Sequence, residues 1–425
     1  MTDVHLGPLT GVKVVDLTIA VQGPHASAYL ADMGADVVKI ERPGGELNRH
    51  VHGHGFSPPP GVPGTQYVAM NRNKRGMVVD AHSEVGREVL RRLVVEADVL
   101  VTNYRRDALE RMGLTYEQLA PSNPRLIHAR VSGFGPRGPQ ADKAMLDGAA
   151  QARSGLAAIS GPVDGPPMPP GAAVADHGGS MQLALGVMTA LFARERTGRG
   201  QQVDISALGA MMWLQAWEIA HTSMSTESLR RSGPYNANIK CPYGVYETAD
   251  GGSFLLAVAM SDASWDAFWI FADRPEVVAD PRWNNGAKRI GARGSADGDD
   301  EIRELVATAF ASKTTRAWED FLLGEPEIIW ERVRTYEELF TDPQVIANEY
   351  LADVDVAGFG TAKVVTNVVQ LSDTPGSGVR RGAPNLGEHT AEVMSELGFS
   401  DDEIAEVLGQ NDGVAEAIRA LIFDD

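Results

Sequence analysis

The chain has 425 residues, 43% hydrophobic, 22% charged and 7% aromatic, a composition that excludes disorder, collagen-like repeats and a disulfide scaffold. Its 38 Lys plus Arg against 57 Asp plus Glu give a formal net charge of -19, a field that repels polyanions, so nucleic acid is not an expected partner. One cysteine, Cys241, an opening MTDVHLGPLTG without basic or long apolar stretches, and no apolar run of the ~20 residues a bilayer needs together predict a cytoplasmic protein with no membrane partner.

In chain order, VKVVDL (Val12 to Leu17) reads as a buried strand, and Gly23-Pro24 opens a helix that runs to Met33 and stops at Gly34. Strands follow at Asp36 to Glu41, Met77 to Asp80, Asp98 to Thr102 and Leu126 to Ser132, separated by helical patterns at Ser83 to Glu96 and Asp107 to Leu119. Short β-branched runs alternating with helices are the mark of βαβ units and a parallel sheet. Ligands of such a sheet sit beyond the carboxyl ends of its strands. That rule points to Glu41-Arg42, Asn103-Tyr104 and Ser132-Gly133.

Further along, the Pro/Gly-rich stretch Ser160 to Gly171 excludes helix and central strand. Helices are predicted over Met181 to Arg196 and Ser206 to Ala220. A smaller unit begins near Pro234, with a hairpin turning at Asp250-Gly251-Gly252 and helices rich in Trp and Phe. Arg293 to Asp300 reads as an exposed polar loop. Short strands near Val354 and Ala362 to Val365 precede a final helix pair over Glu388 to Ile422.

No GxGxxG follows the first strand, and no Walker loop, GxSxG elbow or HExxH helix occurs. The alternating His50, His52 and His54 have no cysteine or second cluster near them, so a polar loop competes with a metal site. Asp176, between the Pro/Gly loop and an apolar helix, has two readings. As a capping carboxylate it satisfies orphan N–H groups. Alternatively, the helix terminus keeps it ionised, Gly178-Gly179 lets a ligand approach the backbone, and it serves as a nucleophile toward an acyl group. Arg42, the NRNKR cations Arg72, Lys74 and Arg75, and Arg105, Arg106 and Arg111 are either solvated surface or a phosphate site. Tyr235, Tyr243 and Tyr246 are either core or pocket.

Several stretches resemble one family in its order: GPHASAYLADMGADVVKIERPGG, NRNKRGMVVD, ADVLVTNYRRDALERMGLTYEQL, NPRLIHARVSGFGPRGP, GAAVADHGGSM, RTGRGQQVDIS and PYGVYETADG. The chain resembles the family III CoA-transferases, which include formyl-CoA transferase, carnitine CoA-transferase and the α-methylacyl-CoA racemases. The resemblance implies an α/β fold with a large Rossmann-like domain from both ends of the chain (1–220 and 326–425), a smaller inserted α+β domain (234–325), and an interlocked homodimer. It implies Asp176 as the catalytic carboxylate, and Arg42, Asn103, Tyr104, Ala108 and Arg111 as CoA contacts, with Arg72, Lys74 and Arg75 on the same surface. Acyl-CoA and a carboxylic acid would be the substrates, with no metal and no permanently bound cofactor. Backbone N–H groups at Gly178 and Gly179 are the expected oxyanion donors.

Two departures stand out. SGPYNANIKC replaces the glycine run that formyl-CoA transferase carries before its PYGVY-like hairpin. Gln22 lies one place later relative to Gly23-Pro24 than that enzyme's active-site glutamine, so the role is not assigned to it. Racemisation needs acid–base groups on both faces of the α-carbon, and racemases supply one from a His-Asp pair. Here Leu146 precedes Asp147, so transfer is the leading reading, with an isomerase or a non-catalytic CoA-binding protein as the alternatives.

Overall fold

The computed structural model describes residues 7–410 apart from 227, 237, 240–241, 258–260, 290–298 and 377. Cys241, residues 293–298 of the expected polar loop and residues 411–422 of the expected terminal helix pair lie outside them. By internal contacts the chain forms two compact units, one of Met1–Arg153, Ala172–Leu214 and Asp342–Asp425, the other of Ser154–Gly171 and Gln215–Thr341.

In the first unit, six strands form one parallel sheet: β1 (Lys13–Leu17), β2 (Asp36–Glu41), β3 (Arg75–Val78), β4 (Val99–Thr102), β5 (Ile127–Ser132) and β6 (Gln202–Ser206). Their spatial order is β3-β2-β1-β4-β5-β6, the doubly wound order of dinucleotide-binding sheets. Because successive side chains alternate between faces, β1 feeds two cores. Val15 and Leu17 pack with Val38, Ile40, Val89 and Leu93 on one face. Val14 packs on the other with Val37, Val99, Leu30 from helix α1 (Gln22–Asp32) and Leu183 and Val187 from the long helix Val174–Thr197. Both faces are apolar, which is why these strands read as continuous hydrophobic runs rather than alternations.

β6 was not expected. It is a short edge strand whose five residues are all half-buried, so neither a continuous nor an alternating apolar signal marks it. The long helix begins at Val174 rather than Met181, because Gly178-Gly179 does not interrupt it.

The second unit has an antiparallel sheet of β7 (Gly244–Glu247), β8 (Ser253–Leu256) and β9 (Trp330–Arg332). It packs on an aromatic core that includes Tyr246, Phe254, Trp265, Phe268, Phe310 and Trp318. Tyr246 is therefore core, and Tyr235 packs against the same cluster. The unit boundaries differ from the expected 220, 234 and 325. The helix expected across Ser206 to Ala220 breaks at Gln215 into Ala207–Leu214 and Ala216–Met224. Ser154–Gly171 falls in the second unit, where Arg231 Nε donates to Pro162 O at 3.2 Å. Residues beyond 325 also remain there, because β9 completes the small sheet. The chain rejoins the first unit at Asp342 and adds the hairpin β10 (Leu351–Val356) and β11 (Gly360–Val365), whose Val354, Val356 and Val364 pack with Val62 and Val68.

Candidate active site

The strand order reverses between β1 and β4, so their carboxyl ends diverge and open a crevice. A cleft lies there, lined by Ala20 and Gln22 after β1, Asn103 and Tyr104 after β4, Ser132 and Gly133 at the end of β5, and Asp176. Two of the three strand-end positions indicated by the sequence thus meet at one site. The third does not, because Glu41 is buried against Arg49 at 2.6 Å.

Asp176 lies in the first turn of the long helix, and it is not the cap. The N-cap residue, Ala173, provides no side-chain hydrogen bond. Asp147 does this work from another helix (Asp147–Ser154): its Oδ1 accepts from the N–H of Ala175 at 2.8 Å and of Asp176 at 3.1 Å. The Asp176 carboxylate is left half-buried, without a hydrogen-bond partner among the described residues. Burial, and after it the neighbouring Asp147 carboxylate, push its pKa up to about 6. The shift runs against the expected stabilisation of the anion by the helix terminus. At neutral pH the anion still predominates.

The expected oxyanion donors are occupied. Gly178 and Gly179 lie at the fifth and sixth positions of the helix, where each N–H is already bonded to the carbonyl four residues back. Their lack of a side chain matters instead. A Cβ on Gly179 would sit 1.7 Å from Gln22 Nε2, and one on Gly178 would sit 2.7 Å from Leu214 Cδ1. Gln22 therefore lies directly over Gly179, with Nε2 buried and without an acceptor. An unpaired buried amide donor is costly, and this one belongs to a residue lining the same cleft as a carboxylate that accepts nothing. Ser180 Oγ donates to Gln22 O at 2.7 Å and fixes the start of α1 to the long helix.

Asn103 and Tyr104 line the cleft as expected. The Asn103 amide grips Ile19, accepting from its N–H at 3.0 Å and donating to its carbonyl at 2.7 Å. Tyr104 packs against the sheet core, and burial raises its phenol pKa. Arg42, Ala108 and Arg111 lie outside the lining: Arg42 Nε donates to Gly45 O at 3.1 Å, and Arg111 pairs with Asp107 at 3.0 Å.

The NRNKR cations face elsewhere. Arg72 pairs with Asp32 at 2.6 Å. Lys74 is fully buried, donating to Asp16, Pro24 O and Asn71, each at 2.8 Å, and burial lowers its pKa to about 8. Arg75 starts β3, at the amino edge of the sheet, and bridges Asp36, Glu392 and Glu396. The expectation that these three join Arg42 on a CoA surface finds no support in this geometry, because Arg72 and Lys74 are engaged by buried carboxylates and Arg75 by three carboxylates at the amino edge of the sheet.

Arg105 and Arg106, two of the cations the sequence offered for a phosphate site, line the cleft, and so do Arg130 and Lys143, which it did not single out. Arg130 pairs with Asp204 and Arg106 with Glu110, whereas Arg105 and Lys143 have no ion pair among the described residues. No histidine lines the cleft among those residues. His177, next to Asp176, turns instead to His25, with Nδ1 to Nδ1 at 3.0 Å. The exposed Leu146 borders the cleft where a racemase carries its imidazole. Among the described residues no group of His, Cys, Asp and Glu is arranged to hold a metal ion.

The profile of CoA-transferase family III matches residues 9–390. The chain is 33% identical over 395 residues to succinate–glutarate CoA-transferase of Agrobacterium fabrum, covering 92% of this chain and 96% of that one. It is 34% identical over 406 residues to succinyl-CoA:mesaconate CoA-transferase of Haloarcula hispanica, covering 92% and 97%. Among solved structures, a CaiB/BaiF family protein from Brucella suis superimposes with a TM-score of 0.79 at 30% identity, over 92% of this chain and 99% of that one.

Proposed function

The chain belongs to CoA-transferase family III, and from that premise we propose that it moves CoA between carboxylic acids through covalent intermediates on Asp176. The supporting observation is the pairing of an unpartnered carboxylate with the orphaned Gln22 amide in one cleft. The Asp176 carboxylate attacks the carbonyl carbon of the donor thioester. The C–S bond breaks, leaving an aspartyl–acyl anhydride and CoA thiolate. Gln22 Nε2 donates to the carbonyl oxygen as negative charge develops there, the role first given to the glycine backbone. Thiolate then attacks the aspartyl carbonyl, expelling the donor acid and forming an aspartyl–CoA thioester. The acceptor carboxylate displaces thiolate to give a second anhydride, and thiolate attacks its acyl carbon, releasing the new acyl-CoA and restoring Asp176. One thioester replaces another, so no external energy source is needed.

We assign the acceptor to short dicarboxylic acids. Relatives named for succinate, glutarate and mesaconate support this class, and unpaired Lys143 and Arg105 at the cleft are available to a second carboxylate and to CoA phosphates. Asn103, Tyr104 and, farther out, Arg42, Ala108 and Arg111 are assigned to CoA. An interlocked homodimer in the cytoplasm completes the reading. Met181, Leu185 and Phe192 form an exposed apolar stripe on the long helix, the kind of surface a partner copy covers. No helix among the described residues is long and apolar enough to cross a membrane.

The test is a mass-spectrometric screen of acyl-CoA donors against carboxylic acids, with wild type beside Asp176→Ala. New thioesters from wild type alone, with hydroxylamine trapping an adduct on Asp176 during turnover, are the expected result. Equal rates in the two proteins would overturn the mechanism.

A further inference from the structure

Three consecutive residues between β1 and α1 are gripped by side chains from other parts of the sheet. The Thr18 carbonyl accepts from Lys39 Nζ. Both backbone groups of Ile19 are bonded to the Asn103 amide. The N–H of Ala20 donates to Glu46 Oε2 at 3.0 Å. Ala20 has a φ of 67°, a left-handed conformation that a residue with a Cβ holds only when its surroundings impose it. Glu46 is only 4% exposed and does not line the cleft. Its own backbone N–H donates to Glu41 at 3.0 Å, and its Oε1 lies 3.5 Å from Lys39 Nζ. Glu46 is thus held through its backbone by Glu41, faces the Lys39 ammonium with one carboxylate oxygen and directs the other at a strained peptide. Two residues beyond that peptide stands Gln22.

We propose that Glu46 is a positioning residue for CoA transfer: by holding Ala20 in its left-handed conformation, it sets the direction in which Gln22 enters the cleft. This rests on the reading of Gln22 as donor to the reacting carbonyl. Lys39 completes the device by anchoring Glu46 and the Thr18 carbonyl with one ammonium group. Asn103 holds the peptide between them.

The test measures initial rates and crystal structures for Glu46→Ala, Glu46→Gln and each combined with Ala20→Gly. Glu46→Ala lowers kcat ~10- to 100-fold while KM for acyl-CoA stays within about twofold, since a misaimed donor is felt in the transition state. Glu46→Gln keeps the side-chain volume and therefore the fold, but loses the charge facing Lys39, and lowers kcat by ~3- to 10-fold. Ala20→Gly restores most of either loss, because glycine takes positive φ without strain. In a Gln22→Ala background, Glu46→Ala has no further effect. Wild-type kcat in both Glu46 variants, failure of Ala20→Gly to rescue, or an undiminished loss in the Gln22→Ala background overturns the assignment. If wild type forms no new thioester, the transfer reading fails separately. The crystal structures of the Glu46 variants then decide: Ala20 leaving the left-handed region with Gln22 withdrawn from Gly179 supports the role, and an unchanged turn overturns it.

Discussion

Two polar regions of the first unit treat their charges in opposite ways. Around β1–β3, every buried carboxylate has a cation: Asp16 with Lys74 at 2.8 Å, Asp32 with Arg72 at 2.6 Å, Glu41 with Arg49 at 2.6 Å. At the cleft, the Asp176 carboxylate and the Gln22 amide are left without partners. Matched carboxylates build the architecture, whereas the unmatched carboxylate and amide at the cleft are the groups the proposed transfer would use. The two regions are connected through the Glu46–Lys39 pair, so the stability of one bears on the aim of the other.

If that contrast holds, variants on the two sides should fail in different measurements. The largest effect belongs to Asp176→Ala: transfer falls by ~10⁴-fold or more while the protein stays folded, because the nucleophile is lost and no structural bond goes with it. Next is Lys74→Met. Removing one partner of a fully buried pair costs ~3–5 kcal/mol of stability, read as a lower denaturation midpoint, while KM for acyl-CoA in the folded fraction is unchanged. A raised KM with unchanged stability would instead return Lys74 to the CoA surface. The same pair has a pH signature. Although burial alone would raise it, Lys74 and Lys39 hold the Asp16 pKa down to about 2. Its stabilisation is therefore present above the unfolded value and is lost as pH falls through about 2.

On the cleft side, Gln22→Ala lowers kcat by ~10²-fold with little change in KM, the signature of a donor used only in the transition state. Gly179→Ala sharpens the comparison because it leaves Gln22 in the sequence. Its Cβ would lie 1.7 Å from Gln22 Nε2, so the amide has to move, and the loss in kcat should approach that of Gln22→Ala. Wild-type turnover by Gly179→Ala would mean that transfer does not need the Gln22 amide at its place over Gly179.

Five of the six parallel strands were legible because both faces of each are buried, and a run such as VKVVDL has no other plausible environment. β6 was not, since its half-buried edge leaves no periodic trace. Asp176, Asn103 and Tyr104 were reachable from strand ends and from the resemblance. The roles of Asp147 and Gln22 were not: one caps a helix 28 residues further on in sequence, at Ala175, and the other meets Gly179 only after α1 packs on the long helix. The glycine doublet announced a close approach, but its chemistry depended on which side chain arrived there. NRNKR misled for a related reason. Charge clusters show where cations occur in sequence but not which carboxylates the fold brings to them, and the partners Asp16, Asp32 and Asp36 lie on elements tens of residues away.

The smallest expected effect reads the contrast as a difference in stability. Burial, reinforced by Asp147, raises the folded-state pKa of Asp176 from its ordinary 3.8 to about 6, so the fold favours its protonated form. That contribution is full below the unfolded value and is lost as pH rises through about 6. Above that point the wild type holds an unfavourable charge, and Asp176→Asn should be the more stable protein by about 1–2 kcal/mol after solvent screening. Below about pH 4, where both side chains are neutral, the two denaturation midpoints should converge. Asp147→Asn removes the second carboxylate and keeps an acceptor for the helix N–H groups. It should lower the Asp176 pKa and move the acid limb of the transfer rate to lower pH. A midpoint difference independent of pH, or an acid limb that Asp147→Asn leaves in place, would mean that Asp176 is not the group whose ionisation both measurements follow.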